Sequence, residues 1–462
     1  MGQLKKMLGI QENIQVTMYV DPNHPLLKLK AILPWDTLTE IMKKHWKKAG
    51  KNMDGGRGRR WESDLYVRII VLMVVEGLDY RKTERFLSEN APARIFISRE
   101  EDSKPQIRDH SNIGRAYAAL GEEGLQEVND VVIRLATKAG YANARILSAD
   151  TTAQELPIGY PNEPGIMRGI AQRCSRALTN LKKKGVEGME KGLEKAKEVI
   201  RSVKEYQLFA KGEEVKKQIL ERIVKEVGEL IKETVVVTKA IKEMTERVVI
   251  SSKKKLEMMK EVSEQLIPQI NQWIETGIVA KGKIIHAGIK EARAIVRKKI
   301  GKKVEFGFKY LINRIGGGYI FGKMFLGSPN EAKMPIESLN EYRRIYGKKS
   351  TPEMFTYDRG GHAESTIKRL KKEGVKKIGI QPKGKASWLV SEEDRQIVQS
   401  ERGMMEGCIG TLKSEKYGFN KPKERDIKTL QAAGQRSILS YNLNKMIRDI
   451  VRSDKETEVA AG

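Results

Sequence analysis

Three acidic residues occupy settings that suit divalent-cation chemistry. Asp150 ends the segment that begins at Ile146 and Leu147 and is followed by Thr151 and Thr152. Asp358 ends "EMFTY" and is followed by Arg359, Gly360 and Gly361. A carboxylate at the C-terminal end of an apolar strand, ahead of a loop, stands where open α/β sheets place their sites. Singly, such an aspartate is more often a turn former or helix cap. Two of them in the same setting strengthen each other. A third candidate, Glu406, lies in "SERGMMEGCIGTLK". On a continuous helix Arg402, Glu406 and Lys413 fall at i, i+4 and i+11 and point to one broad face, so that a carboxylate stands between two cations. Glu401 competes for the role, and the spacing to Arg402 and Lys413 prefers Glu406. Hard carboxylate oxygens are natural ligands of Mg2+, and two such ions about 3.5–4 Å apart serve phosphodiester cleavage and strand transfer.

The elements that must position these residues are legible in outline. Residues 22 to 145 read as helical, with Leu38, Ile41 and Met42 recurring at helical spacing after Trp35. Within them Tyr66 to Leu87 pairs an apolar helix with "GLDYRKTERFL", where Gly77 and Asp79 break the pattern before Arg81, Lys82 and Arg85. That is compatible with helix-turn-helix, in which Arg81 and Lys82 would bind DNA, and equally with a plain helical hairpin whose basic residues are solvated. At "ARILSADTT" the period changes to that of a short buried strand. From about Ile166 to Ile300 the chain reads as charged, proline-poor helix, an arm with two apolar seams. One holds Val215, Ile219, Ile223, Val227, Leu230, Val235, Ile241, Met244 and Val248; the other holds Leu256, Met259, Leu266, Ile270 and Trp273. Strand signals return in "VEFGFKYLI", turn at Gly316 to Gly318 into "YIFGKMFLG", and recur at "EMFTY" and "KKIGI". Helices then dominate from Ser391 to Arg452.

The expected architecture is therefore α/β, with a helical DNA-binding or dimerisation domain over residues 1–140, a split catalytic domain over 141–165 and 301–452, a helical, coiled-coil-like insertion over 166–300, and a disordered tail over 453–462. Asp150 and Asp358 are 208 residues apart. Removing the roughly 135 residues of the arm leaves about 73, which a hairpin, one helix and short loops can fill.

Composition narrows the function. The excess of 87 Lys and Arg over 60 Asp and Glu gives a net charge of +27, a field that attracts polyanions, nucleic acid first. Cys174 and Cys408 have no CxxC partner, and the five histidines are scattered, so no disulfide framework or zinc site is indicated. The most apolar run, Ile69 to Val75, is far too short to span a bilayer, and the Lys-rich N-terminus lacks a signal sequence, so the expected location is the cytoplasm. Lys383 and Lys385 in "QPKGKASW" could line a DNA groove or simply be solvated. Trp388 reads as core more than as a base-stacking group, and His362 is assigned no catalytic role.

"LSADTTAQELPIGYPNEPG", "TYDRGGH" and the R-x3-E-x6-K pattern resemble the DDE transposases of bacterial insertion sequences. The resemblance extends from roughly Pro22 through Arg448, because "HPLLKLKAILPWDTL" and "KPQIRDHSNIGR" resemble that group's N-terminal domain; the arm is covered least. It implies an RNase H-like catalytic domain, two Mg2+ ions, with Mn2+ as a substitute, held by Asp150, Asp358 and Glu406, and phosphate contacts from Arg402 and Lys413. It also implies double-stranded DNA partners, the element ends and a target, bound by a homodimer. Water attack at each element end would release a 3′-hydroxyl, which then attacks target DNA. Many relatives carry Tyr three residues before that Arg, where this chain has Gln399. Two other readings are a domesticated DNA-binding protein with a vestigial site and an RNase H-like nuclease that cuts without joining.

Overall fold

The computed structural model describes residues 20–50, 62–99, 109–241, 245–299, 302–382, 388 and 390–461. Two compact units emerge. One comprises Met1–Arg145, Ile315–Phe321 and Gln435–Gly462; the other comprises Ile146–Arg314 and Gly322–Gly434.

The first unit is built on helices α1 (Pro25–Ile32), α2 (Trp35–Lys48), α3 (Ser63–Val75), α4 (Tyr80–Glu89), α5 (Ala91–Ile97) and α6 (His110–Lys138). Helix α3 is buried all round from Leu65 to Val75, as expected of a helix with no polar face. Asp79 caps α4 by accepting from the Lys82 N–H at 2.9 Å, which explains why the pattern breaks at that aspartate. Arg81 and Lys82 are exposed on α4, while Thr83 and Leu87 are buried. Asn442 donates to Asn129 Oδ1 at 2.7 Å and to the Ile320 carbonyl at 2.6 Å, and accepts from the Ile320 N–H at 2.9 Å. It belongs to α14 (Ile427–Ala461). That helix continues past Arg452, where the sequence reading ends the last element and expects a disordered tail; its charged residues lack any helix breaker.

The second unit holds the sheet. Strands β1 (Asn143–Glu155), β2 (Arg293–Lys299), β3 (Lys302–Gly316), β4 (Ile320–Phe325), β5 (Met354–Tyr357) and β6 (Lys377–Ile380) run in the order β2-β3-β1-β5-β6, with β4 also paired to β3. Strands β1, β5 and β6 are mutually parallel, and β2 is antiparallel to β3. Gly307 abuts Gln154 and Gly316 abuts Asn143, so β3 runs antiparallel to β1. A β-carbon on Gly307 would lie 2.0 Å from the Gln154 carbonyl oxygen, and only glycine permits that approach. The hairpin from β3 to β4 turns at Gly317 and Gly318, both at positive φ, as its sequence predicts.

Between β1 and β2 lie α7 (Glu163–Lys182), α8 (Glu190–Phe209), α9 (Glu213–Ala240) and α10 (Arg247–Thr276), packed around one apolar core. Pro164 in the first turn and Asn162, which accepts from the Gly165 N–H at 2.7 Å, start α7. Ile223, Val227, Leu230, Ile241, Leu256, Met259, Leu266 and Ile270 are buried there as the seams predict, and Ile219, Val235 and Trp273 are partly so. Val215 and Val248, at helix ends, are exposed; Met244 lies outside the described residues. The helical run stops at Thr276, not Ile300. Residues 293–299 are strand, because Ala294, Ile295 and Val296 pair with β3, and β-branched residues gain more at a sheet edge than in a helix.

Candidate active site

Sheet register brings the two aspartates to one height. Ser148 of β1 faces Thr356 of β5 as their last ladder pair, and Asp150 and Asp358 each follow two residues later. Neighbouring strands are about 4.8 Å apart. The expectation that Asp150 ends its strand is corrected. It lies inside β1, which continues to Glu155 because the long β3 keeps pairing with it. It is the parallel ladder that ends just before Asp150. Asp358 does follow its strand and also caps the turn Arg359–Gly361, accepting from the Gly360 N–H at 2.9 Å.

Sequence reading missed a fourth carboxylate. Glu331, in the short turn Glu331–Lys333 ahead of α11 (Met334–Tyr346), accepts from Thr151 Oγ1 at 3.0 Å and from the Tyr357 hydroxyl at 2.8 Å, and pairs with Lys309. Burial raises the proton affinity of Glu331, but Lys309, Tyr357 and Thr151 outweigh it and leave its pKa below the usual carboxylate range. Asp358 goes the other way. Burial, then the Glu331 charge, push its pKa up against the Gly360 N–H and the Arg402 cation. The Tyr357 hydroxyl is also pushed up, first by burial and then by Glu331, Asp150 and Asp358. Three carboxylates, Asp150, Asp358 and Glu331, thus stand close to the neutral Tyr357 hydroxyl, which donates to Glu331.

Helix α13 (Glu392–Leu412) starts on Ser391, which accepts from the Asp394 N–H at 3.1 Å, and packs on β5 and β6. Gly379 of β6 lets it come close, since a β-carbon there would meet Val398 at 2.5 Å. Its buried stripe is Val398, Glu401, Met405 and Leu412. Glu401 is bound to Arg314 and accepts from Ser148 Oγ at 2.8 Å, a structural ion pair beneath the site. Arg402, Glu406 and Lys413 form the adjoining stripe, each one residue beyond a buried position. Arg402 acts electrostatically on Asp358; Lys413 stands 3.6 Å from the Glu305 carboxylate and is therefore not a free cation. Glu305 precedes Phe306, whose carbonyl pairs with the Leu156 N–H, so α13 runs in the same direction as β1. From Glu401 to Glu406 the helix rises about 7.5 Å. From Ser148 to Asp150 the strand advances about 6.6 Å. Glu406 therefore lies at the height of Asp150. It is exposed and makes no ion pair among the described residues.

The remaining candidates fall elsewhere. Lys383 and Lys385 lie outside the described residues. Trp388 is half-buried, its ring centroid 5.8 Å from the Arg395 guanidinium. His362 is half-buried just after the turn, and Gln399 is exposed on α13. In the first unit, Glu84, Asp109 and His110 place ligand atoms within 4.8 Å of one another. Each already has a partner. His110 Nδ1 lies 2.9 Å from Glu84, and Asp109 caps α6 by accepting from the Ser111 N–H at 2.8 Å. Among the described residues no helix is long and apolar enough to cross a membrane, and both cysteines are free of disulfides.

No curated protein and no solved structure matches the chain. Residues 15–119 match the family model of a transposase domain (DUF772), which spans α1 to α5 and the start of α6 and supports a transposase.

Proposed function

We propose that the chain is a DDE transposase whose sheet and α13 form an RNase H-like catalytic region interrupted by the helical arm. It would bind the ends of a mobile element as a homodimer, cleave them, and join them to target DNA. The observation that carries this reading is that Asp150 and Asp358 each follow by two residues the last ladder pair, Ser148 and Thr356, of adjacent parallel strands; helix rise and strand advance from the Glu401–Ser148 contact support Glu406 as the third member. The sheet order is the one such a fold would have, with an antiparallel meander before β1, β5 and β6 run parallel.

The donor set fits divalent cations. Asp358 resists ionisation because burial and Glu331 oppose its charge, and a cation relieves that opposition. Asp150, Asp358 and Glu406 would hold two Mg2+ ions, which when bound activate an attacking oxygen and stabilise a leaving oxygen. Arg402, beside Asp358, would bind a phosphate of the scissile strand. Lys413 would join it by exchanging Glu305 for phosphate. Glu331 acts as a positioning residue: it fixes Thr151 next to Asp150, Tyr357 next to Asp358, and the Lys309 ammonium at their side.

The test is Mg2+-dependent cleavage and strand transfer by the purified full chain on DNA carrying the repeats that flank its coding region. Asp150→Ala, Asp358→Ala and Glu406→Ala should each lower both steps by on the order of 10³-fold. Cleavage that stays near the wild-type rate after one of these changes would remove that residue from the site, and wild-type protein that cuts without joining would reduce the reading to a nuclease.

A further inference from the structure

At the base of the helical arm lie cations without a counter-charge among the described residues. Arg173 of α7 is half-buried. Among the described residues its single hydrogen bond runs from Nη1 to the Gly169 carbonyl and is long, 3.4 Å. Gly288 makes the space for its guanidinium: a β-carbon there would stand 2.2 Å from Nη2 and 2.7 Å from Cζ. Two further guanidiniums act on it, those of Arg176, one turn along α7, and Arg425, just ahead of α14. Both are exposed. None of the three makes an ion pair among the described residues.

His286 adds a neutral donor to the cluster. Burial, then the Arg173 charge, lower its pKa to about 4, so it is uncharged at neutral pH. The Gly288 N–H donates to His286 Nδ1 at 3.3 Å, which leaves the ring proton on Nε2. A half-buried arginine surrounded by like charge is an unfavourable arrangement by itself. It becomes favourable when an anion accepts its charge-assisted hydrogen bonds, and guanidinium forks suit phosphate best.

We infer that Arg173, Arg176, Arg425 and His286 form a binding site for a phosphate of the DNA backbone, built into the root of the arm. The inference rests on the reading of the chain as a DNA-processing enzyme and assigns to the root of the arm a specific phosphate contact. Here the arm does more than separate Asp150 from Asp358 in sequence: its first helix grips the substrate.

The test measures duplex binding by fluorescence anisotropy in EDTA over a salt series, so that cleavage plays no part. The variants are Arg176→Gln with Arg425→Gln, Arg173→Gln, and Gly288→Ala, which keeps every charge but displaces the guanidinium. Each should bind more weakly, with a slope of log affinity against log salt shallower by about 0.9 for each phosphate no longer neutralised. Unchanged slopes in variants that melt like the wild type would overturn the inference. Inorganic phosphate that stabilises the wild type but not the variants, with DNA binding unaltered, would assign the site to a free anion and overturn the DNA assignment. Wild-type protein that binds duplex through these residues yet never cleaves would sink the transposase reading and leave the phosphate site standing.

Discussion

Among the described residues, two places that gather groups able to ligate a metal differ in how their charge is settled. At Glu84, Asp109 and His110, each group has a local partner: a histidine for the glutamate, a helix N-terminus for the aspartate. At the sheet edge, Asp150 and Asp358 each lie two residues beyond the last ladder pair of β1 and β5, and Asp358 is held against ionisation by burial and by Glu331. The first arrangement is satisfied without a ligand. At the second, burial and the Glu331 charge oppose the ionisation of Asp358, and a cation would relieve that opposition. Proximity of carboxylates is thus a weak signal of a site, and unsettled charge is a stronger one.

The two places should differ most sharply in activity. Asp358→Ala should lower Mg2+-dependent cleavage by on the order of 10³-fold, the scale of losing one group that stabilises developing charge, whereas Glu84→Gln and Asp109→Asn should leave it unchanged. Equal losses at both places would erase the distinction. Next in size is Glu331→Gln, which keeps the shape but loosens the grip on Lys309, Tyr357 and Thr151. Cleavage should fall about 10- to 100-fold, as for other groups that orient metal ligands, with the apparent Mg2+ requirement raised. An unchanged metal dependence would reduce Glu331 to a structural role.

The two glutamates of α13 should separate cleanly. Glu401→Ala strands the buried Arg314 and should destabilise the fold by about 3 kcal/mol, read by denaturant melts, whereas Glu406→Ala should melt like the wild type and lose activity. The smallest effect concerns Asp358 itself. Its folded-state pKa is raised, so its ionisation penalises the folded state at neutral pH, and the penalty fades as pH falls through that pKa. Asp358→Asn should therefore raise Tm at pH 7 by on the order of 2 °C, with the gain vanishing in acid. A fall in Tm at pH 7 would show that the carboxylate is not strained there.

The α/β class, the hairpin at Gly317 and Gly318, and the position of Asp358 were legible because turn glycines and apolar runs are local signals. The extent of β1 was not, since β3 lengthens it from about 150 residues away in sequence. Strand β2 hid in a charged stretch whose pairing partner alone makes it a strand. Glu331 had no motif: nothing in "SPNEAK" distinguishes it until the fold brings Thr151 and Tyr357 to it. Glu406 was separable from Glu401 only through the spacing of Arg402 and Lys413. The two lie about 140° apart around the helix, enough to bury one and expose the other. The sequence also left Lys413 as a phosphate ligand, without its carboxylate partner Glu305.

The cysteines offer an experimental handle. Cys174 is fully buried in the arm core, and burial pushes its thiol up to about 12, so it stays protonated and shielded from alkylating reagents. Cys408 is half-exposed, two residues beyond Glu406. A maleimide dye added to the unmodified protein should therefore attach at a single position, and its emission would report events on α13 without any engineered cysteine.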